Sequence, residues 1–155
     1  MPKYEFRLQQ TVAARRASPI SLKLRNKIKR IAKLVAFQEI ERLADINLSI
    51  VAMSDNELLV INRSSLGHDT LTDVITFEIE RSTDMESRTS LEAEIYISVE
   101  RAKENAVKFK QTFEPEITRL VIHGILHLAG YSDKTAKDKK RMRNRERYYL
   151  AEIQT

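Results

Sequence analysis

The chain is predicted to fold as an α+β domain: one small mixed β-sheet of about four strands packed with about five helices, with a candidate metal site on a buried central helix. Three observations predict this. Short alternating apolar stretches and longer helical stripes follow in the order β α β α β β α α α, which breaks strict βα alternation. One segment, 116–129, is apolar nearly all round, as expected of a core helix. The 155 residues, with three glycines and three prolines, contain no repeat, low-complexity tract or linker. Residues 1–155 therefore read as a single domain, able to bury roughly 70% of its unfolded surface without disulfides.

The elements follow in order. Tyr4 to Leu8 alternates as a short strand. Ser18 and Pro19 suit the cap and first turn of a helix whose apolar stripe is Ile28, Ile31, Leu34 and Val35. Ile46 to Met53 alternates as a second strand. Ser54, Asp55 and Asn56 then cap a short helix carrying Leu58, Leu59, Val60 and Ile61, and 67–70 reads as a loop. Two more strands, Asp73 to Ile79 and Ala93 to Ser98, flank a polar stretch, Glu80 to Ser90, that reads as a mobile hairpin connection. Ser98 and Glu100 open a helix running to about Phe113. Pro115 opens the apolar helix, and a strongly basic helix spans about Ala136 to Ile153.

Charge is unevenly distributed. Ten Lys or Arg stand against Glu5 alone in residues 1–35, and eight basic against four acidic groups in 131–155, while the whole chain is only +5. The acidic middle lies between two basic ends. Clustered Lys and Arg suit a polyanionic partner, because neutralised phosphates release their counterions; a solvated helix face is the plainer reading. Absence of cysteine excludes thiolate ligands and thiol catalysis and fits a cytoplasmic location. No apolar stretch approaches the ~20 residues of a membrane span, and no secretory leader is recognisable.

The chemistry concentrates in TRLVIHGILHLAGYSDKT. His123 and His127, at i and i+4, project from one helix face so that their ring nitrogens can converge on one ion. Gly130 suits the left-handed cap that turns the chain back, and Asp133 beyond it can supply a third ligand. Two His and one carboxylate leave zinc a fourth position for water or substrate, the pattern of a catalytic site, with metal-bound water as its reactive group. On these residues alone a purely structural histidine pair stays open. A zinc peptidase would carry Glu directly after the first His as general base; Gly124 stands there instead. Glycine inside a helix costs about 1 kcal/mol relative to alanine, which suggests close packing at that point.

The segment His123-Gly124-Ile125-Leu126-His127-Leu128-Ala129-Gly130-Tyr131 resembles the H-G-x-L-H-L-x-G-Y segment of the YbeY family of bacterial rRNA maturation factors. Thr72-Asp73-Val74-Ile75-Thr76-Phe77 is similar to that family's T-D-V-L-S-F strand, and Glu94-Ile95-Tyr96-Ile97-Ser98 to its G-D-I-x-I-S strand. Order and spacing agree from about Leu48 to Glu146. The resemblance implies a single-domain α+β metal-dependent endoribonuclease with one zinc ion. It would cleave single-stranded RNA during small-subunit rRNA maturation and ribosome quality control, with ribosomal proteins as further partners.

Carried over residue by residue, the resemblance makes His123 and His127 metal ligands and sets Asp133 where the family usually has a third His. A carboxylate there leaves the ion less electrophilic and also admits iron or manganese. Leu66 falls at the place of an RNA-holding Arg. Arg63, one turn earlier, is the substitute for contacting phosphate, with a solvated surface residue as its plainer reading. His68 is a candidate for phosphate binding or proton transfer, Asp73 and Thr76 for lining the cleft, and Lys134 for substrate contact. Lys23, Lys27 and Arg30 on the first long helix, with Lys137, Lys140 and Arg141 on the last, are expected to hold the RNA backbone. Two other functions are compatible with the residues: an RNA-binding ribosome-assembly factor with a structural metal and, less well, a metallopeptidase.

Overall fold

The structure, a computed structural model, describes residues 3–67 and 72–153. Four strands form one mixed sheet in the order β1-β2-β4-β3. They are β1 (Tyr4–Gln10), β2 (Leu43–Met53), β3 (Val74–Thr83) and β4 (Thr89–Ser98). β1 and β2 are parallel, β2 and β4 are parallel, and β3 runs antiparallel to β4 at the edge. The helices among the described residues are α1 (Val12–Ala17), α2 (Leu22–Glu39), α3 (Asp55–Leu66), α4 (Val99–Lys108), α5 (Phe113–Leu128) and α6 (Ala136–Ile153). The predicted α+β class and mixed four-stranded sheet match this architecture; the described residues form six helices where about five were expected.

Side-chain alternation divides the sheet into two faces. Leu48, Ile50, Ala93, Ile95 and Ile97 point into the main core, where they meet α2 and α5. On the opposite face Met53 and Ile75 pack with Leu58 of α3, joined by Val51, Phe77 and Tyr96. The α3 helix starts in a full capping box between Ser54 and Glu57, which satisfies two amides that helix geometry leaves without partners. Helix α5 lies against the sheet and touches α2, α4 and α6, so the predicted central helix is the one most of the fold is built around.

Three expectations need correction. The first is the helix that sequence reading missed, α1: Thr11 caps it by accepting from the amide of Ala14, and Ser18 closes it. Ser18 and Pro19 are thereby taken, and α2 begins instead at a Ser21 cap whose side chain accepts from the amide of Leu24. The second concerns Glu80 to Ser90, which is mostly strand rather than mobile connection. Ser82 pairs with Ser90 and Thr83 with Thr89, and Asp84 organises the turn by accepting from the amides of Glu86 and Arg88, both at 2.9 Å. Serine and threonine sit readily in an edge hairpin with a solvated face. Third, α4 stops at Lys108, where the backbone turns through Lys110 at φ 55°; Pro115 lies in the first turn of α5, where amides lack helical partners anyway.

Candidate metal centre

Helix α5 is fixed against the sheet by Gly124. A Cβ at this position would stand 2.8 Å from Ile95 Cδ1, 3.0 Å from Thr76 Oγ1 and 3.1 Å from Ile95 Cγ2. The close packing inferred from the sequence is therefore with β3 and β4, and it brings His123 and His127 next to the strand bearing Thr76. The helix ends in a Schellman motif: the amide of Gly130 donates to the His127 carbonyl and that of Tyr131 to the Leu126 carbonyl, both at 3.0 Å. Gly130 takes φ 101°, a conformation that favours glycine. This turn returns the chain over its own histidines.

Three donor atoms meet there. His123 Nε2 and His127 Nε2 are 3.0 Å apart, and each lies 3.4 Å from Asp133 Oδ2. Ligand atoms of a tetrahedral zinc, each about 2.0–2.1 Å from the ion, stand roughly 3.3 Å from one another. The other ring nitrogens decide the tautomers. His127 Nδ1 lies 3.0 Å from the carbonyl oxygen of Tyr131; a carbonyl only accepts, so this nitrogen carries the proton. His123 Nδ1 lies 3.1 Å from Glu146 Oε2. Burial pushes the Glu146 pKa up, but hydrogen bonds from His123 and Arg119 and the Arg119 charge bring it below the ordinary 4.5, so it accepts here too. Both Nε2 atoms then present lone pairs to each other and to a carboxylate oxygen, an arrangement that a cation satisfies.

The charge around the site makes the same demand. Arg119 grips Glu116 through two hydrogen bonds, 3.0 and 2.7 Å, and Glu146 through one of 2.8 Å. Both glutamates are 3% exposed. Burial opposes the Arg119 charge, yet its two carboxylate partners raise its pKa above the usual value. One guanidinium against Glu116, Glu146 and Asp133 leaves the surroundings of the three donors net negative, which favours a bound cation. The donor set therefore fits a divalent metal, and among the described residues these three form the group of His and acidic side chains with donor atoms within 4.8 Å of one another.

The two histidines and Asp133 line one wall of a cleft of about 660 Å³. Asp73, Thr76, Glu78 and Asn62 contribute to the rest of its lining. Asp73 also serves its strand end: its Oδ2 accepts from Asn105 Nδ2 at 3.1 Å, and its carbonyl from the Ser98 amide. Arg63 and Lys134 are exposed and are absent from the described lining. Leu66 ends α3, and His68 lies outside the described residues. Of the basic faces, Lys23, Arg30, Lys137 and Lys140 are exposed. Arg141 stacks its guanidinium 4.8 Å from the Tyr131 ring centroid. Lys27 and Arg30 share a groove with Ile153 of α6.

Sequence reading missed Glu146, Glu116, Arg119, Asn62 and Glu78. A signal for Glu146 was present: it falls on the buried stripe of α6 with Met142 and Tyr149, at i+4 and i+7 spacing. A carboxylate on the inward stripe of an otherwise charged helix is a buried ionic partner. Glu78 carries a quieter link: its Oε1 accepts from Arg81 Nε at 2.9 Å, while Arg81 Nη2 donates to the Leu128 carbonyl at 2.7 Å. The β3 edge is thus tied to the end of the ligand helix.

Comparison with known proteins agrees with this architecture. The chain is 44% identical over 99 residues to "Endoribonuclease YbeY" of Flavobacterium psychrophilum, a match covering 64% of this chain and 66% of that protein. It is 35% identical over 124 residues to the protein of the same name from Chlorobium phaeovibrioides, covering 80% and 78%. The chain thus spans about two thirds of the first relative's length in that match. The solution structure of TM1509 from Thermotoga maritima superimposes with a TM-score of 0.62 at 30% identity, over 96% of this chain and 88% of that one. The profile of the family described as "Endoribonuclease YbeY" matches residues 11–154, and the chain belongs to that family.

Proposed function

We propose that this chain is a metal-dependent endoribonuclease that cleaves single-stranded RNA, acting in the cytoplasm as one YbeY-like domain in the maturation of small-subunit rRNA. The observation that carries the reading is the convergence of three lone-pair donors on the wall of an open cleft. A structural zinc site would be closed by four protein ligands; here the described residues supply three, with His127 30% and Asp133 43% exposed at the side chain. Zinc is the favoured ion, and two His with one carboxylate also suit iron or manganese. When bound, such an ion supplies a Lewis acid for a phosphoryl oxygen and makes hydroxide available at neutral pH.

The chain's own residues do the rest. His123, His127 and Asp133 hold the ion, while Glu146 and the Tyr131 carbonyl keep both imidazoles in the ligating tautomer. Thr76, across the cleft, donates to a phosphate oxygen, and Asp73 accepts from a ribose hydroxyl. Because the described lining includes Asp73, Glu78 and Asp133 and no Lys or Arg, phosphate enters only against the ion's charge. Lys134, Arg63 and the basic faces of α2 and α6 act at longer range and make binding salt-dependent. Among the described residues no helix is long and apolar enough to cross a membrane.

One observation favours a second reading. The acidic cleft, with Leu66 in place of the family's Arg, suits an RNA-binding ribosome-assembly factor whose metal is structural. The test is metal content by mass spectrometry and single-stranded RNA cleavage on the same untagged samples, wild type beside Asp133→Ala and His127→Ala. One equivalent of metal, lost together with cleavage in both variants, is expected. Metal retained in Asp133→Ala, or metal-loaded protein that leaves RNA intact, would favour the assembly factor. Gly124, standing where a peptidase has its Glu, disfavours peptide hydrolysis.

A further inference from the structure

A second cavity, of about 410 Å³, opens between the α4–α5 turn and α6. Among the described residues it shares no lining residue with the metal cleft, and the two are separated by the Glu146–His123 contact. Its volume lies in the range of ligand pockets. Pro115 and Leu150 line it, together with the Phe109 ring, which is 49% exposed. An aromatic ring this open at the mouth of a pocket is a stacking surface awaiting a flat partner. Lys108 Nζ stands 5.7 Å from the centroid of that ring.

Arg143 and Arg147 form the α6 side of the cavity. At i and i+4 they occupy one helix face, and both are exposed, with no hydrogen-bond or ion-pair partner among the described residues. Their neighbours differ. Arg145 is bound to Glu39 and Tyr149, and Arg141 is stacked on Tyr131. Arg119 belongs to the floor, but its charge is already taken by Glu116 and Glu146, so the place for an anion is the rim. We infer that this cavity is an RNA exosite: one unpaired base enters to stack on Phe109, and its flanking phosphates lie on Arg143 and Arg147. Planar guanidinium forks match phosphate oxygens, and stacking accepts any base. A base held in a duplex cannot enter such a recess, so the exosite adds a preference for single strands.

The inference rests on the reading of this chain as an RNA enzyme, and the test separates the two. A single-stranded RNA oligomer carrying 4-thiouridine is crosslinked to the full chain and the adduct mapped by mass spectrometry. Affinity is followed by fluorescence anisotropy over a salt series for wild type, Phe109→Ala, Arg143→Gln/Arg147→Gln, and an Arg15→Gln/Arg16→Gln control on α1. Adducts in residues 107–115 or on α6 are expected. Phe109→Ala should bind about tenfold more weakly. The Arg143/Arg147 pair should lower the slope of log affinity against log salt by about 1.4, at roughly 0.7 per phosphate contact. Metal content should stay at the wild-type level in all of them. Pocket variants that bind like the control, adducts elsewhere only, or capture of an acidic peptide but not RNA would overturn the exosite. Wild-type cleavage with unchanged binding by the pocket variants would remove the exosite alone; weakened binding by those variants without any cleavage would remove the nuclease reading alone.

Discussion

The Nδ1 atom of His123 lies 3.1 Å from Oε2 of Glu146, a residue 23 positions away on α6 and 3% exposed. This contact fixes which nitrogen of His123 faces Asp133, and Glu146 is held in turn by Arg119. Partners of this kind commonly change metal affinity 10- to 100-fold when removed. Glu146→Gln keeps the shape but gives up the charge. It should therefore weaken metal binding by about 10–100-fold while circular dichroism of the metal-loaded protein stays native. Competition with a chromophoric chelator measures the first; unchanged affinity would mean that Glu146 serves only the Arg119 network.

The ligand helix was legible because its signals are local. Two histidines one turn apart, a glycine stop and an apolar run all lie within residues 116–130, and the structure places each as the spacing implies. The contacts that orient His123 come from α6 and from the ion pairs beneath it, and long-range pairing leaves only a faint mark in sequence: one carboxylate on an apolar stripe. Boundaries failed for a different reason. Ser18 and Ser21 are both competent caps, and only the presence of α1, a six-residue helix too short to show a period, decides between them. The extension of β3 to Thr83 and of β4 back to Thr89, inside the stretch read as a hairpin connection, was hidden because serine and threonine serve loops and edge strands alike.

Gly124 sets the distance between the ligand helix and β3. Alanine gains about 1 kcal/mol of helix propensity, yet its methyl group would meet Ile95 and Thr76 inside 3.2 Å. Both neighbours are β-branched, with little freedom at χ1. Overpacking of this kind costs about 1–3 kcal/mol. Gly124→Ala should lose about 1 kcal/mol net in urea unfolding and reduce RNA cleavage more than metal content, since Thr76 on β3 is displaced while all three donors lie in the single segment 123–133. Unchanged stability would show that β3 gives way without cost.

Gly130 offers the contrasting case. No atom lies within 4 Å of a Cβ built there, so Gly130→Ala meets no clash and pays only for φ 101°. That penalty is about 1–2 kcal/mol. Because the same turn carries the Tyr131 carbonyl to His127 and Asp133 to both rings, metal affinity should fall together with stability. The check is a pair of unfolding curves, with and without added zinc: the stabilisation by zinc should shrink in the variant, and an equal zinc effect would show that the turn is only structural.

Glu39 ends α2 and accepts from three side chains: the Tyr149 and Tyr131 hydroxyls at 2.7 and 2.9 Å, and Arg145 through both Nε, at 2.8 Å, and Nη2. Burial alone would raise its pKa, but the hydrogen bonds from Tyr149, Arg145 and Tyr131, with the Arg145 charge, hold it below the ordinary 4.5. The sign follows directly. A carboxyl whose pKa is depressed by folding adds stability that is complete above its unfolded value and disappears as pH falls through the folded one. Wild type should therefore lose stability below about pH 4.5 more steeply than Glu39→Gln, which has no proton to take up at that position. At pH 7 the variant should be less stable by about 2 kcal/mol, because hydrogen bonds to a charged group outweigh those to an amide. Thermal melts of both proteins from pH 7 down to pH 3 test this; parallel curves would mean that the Glu39 cluster does not bind α2 to α6 in the way its geometry indicates.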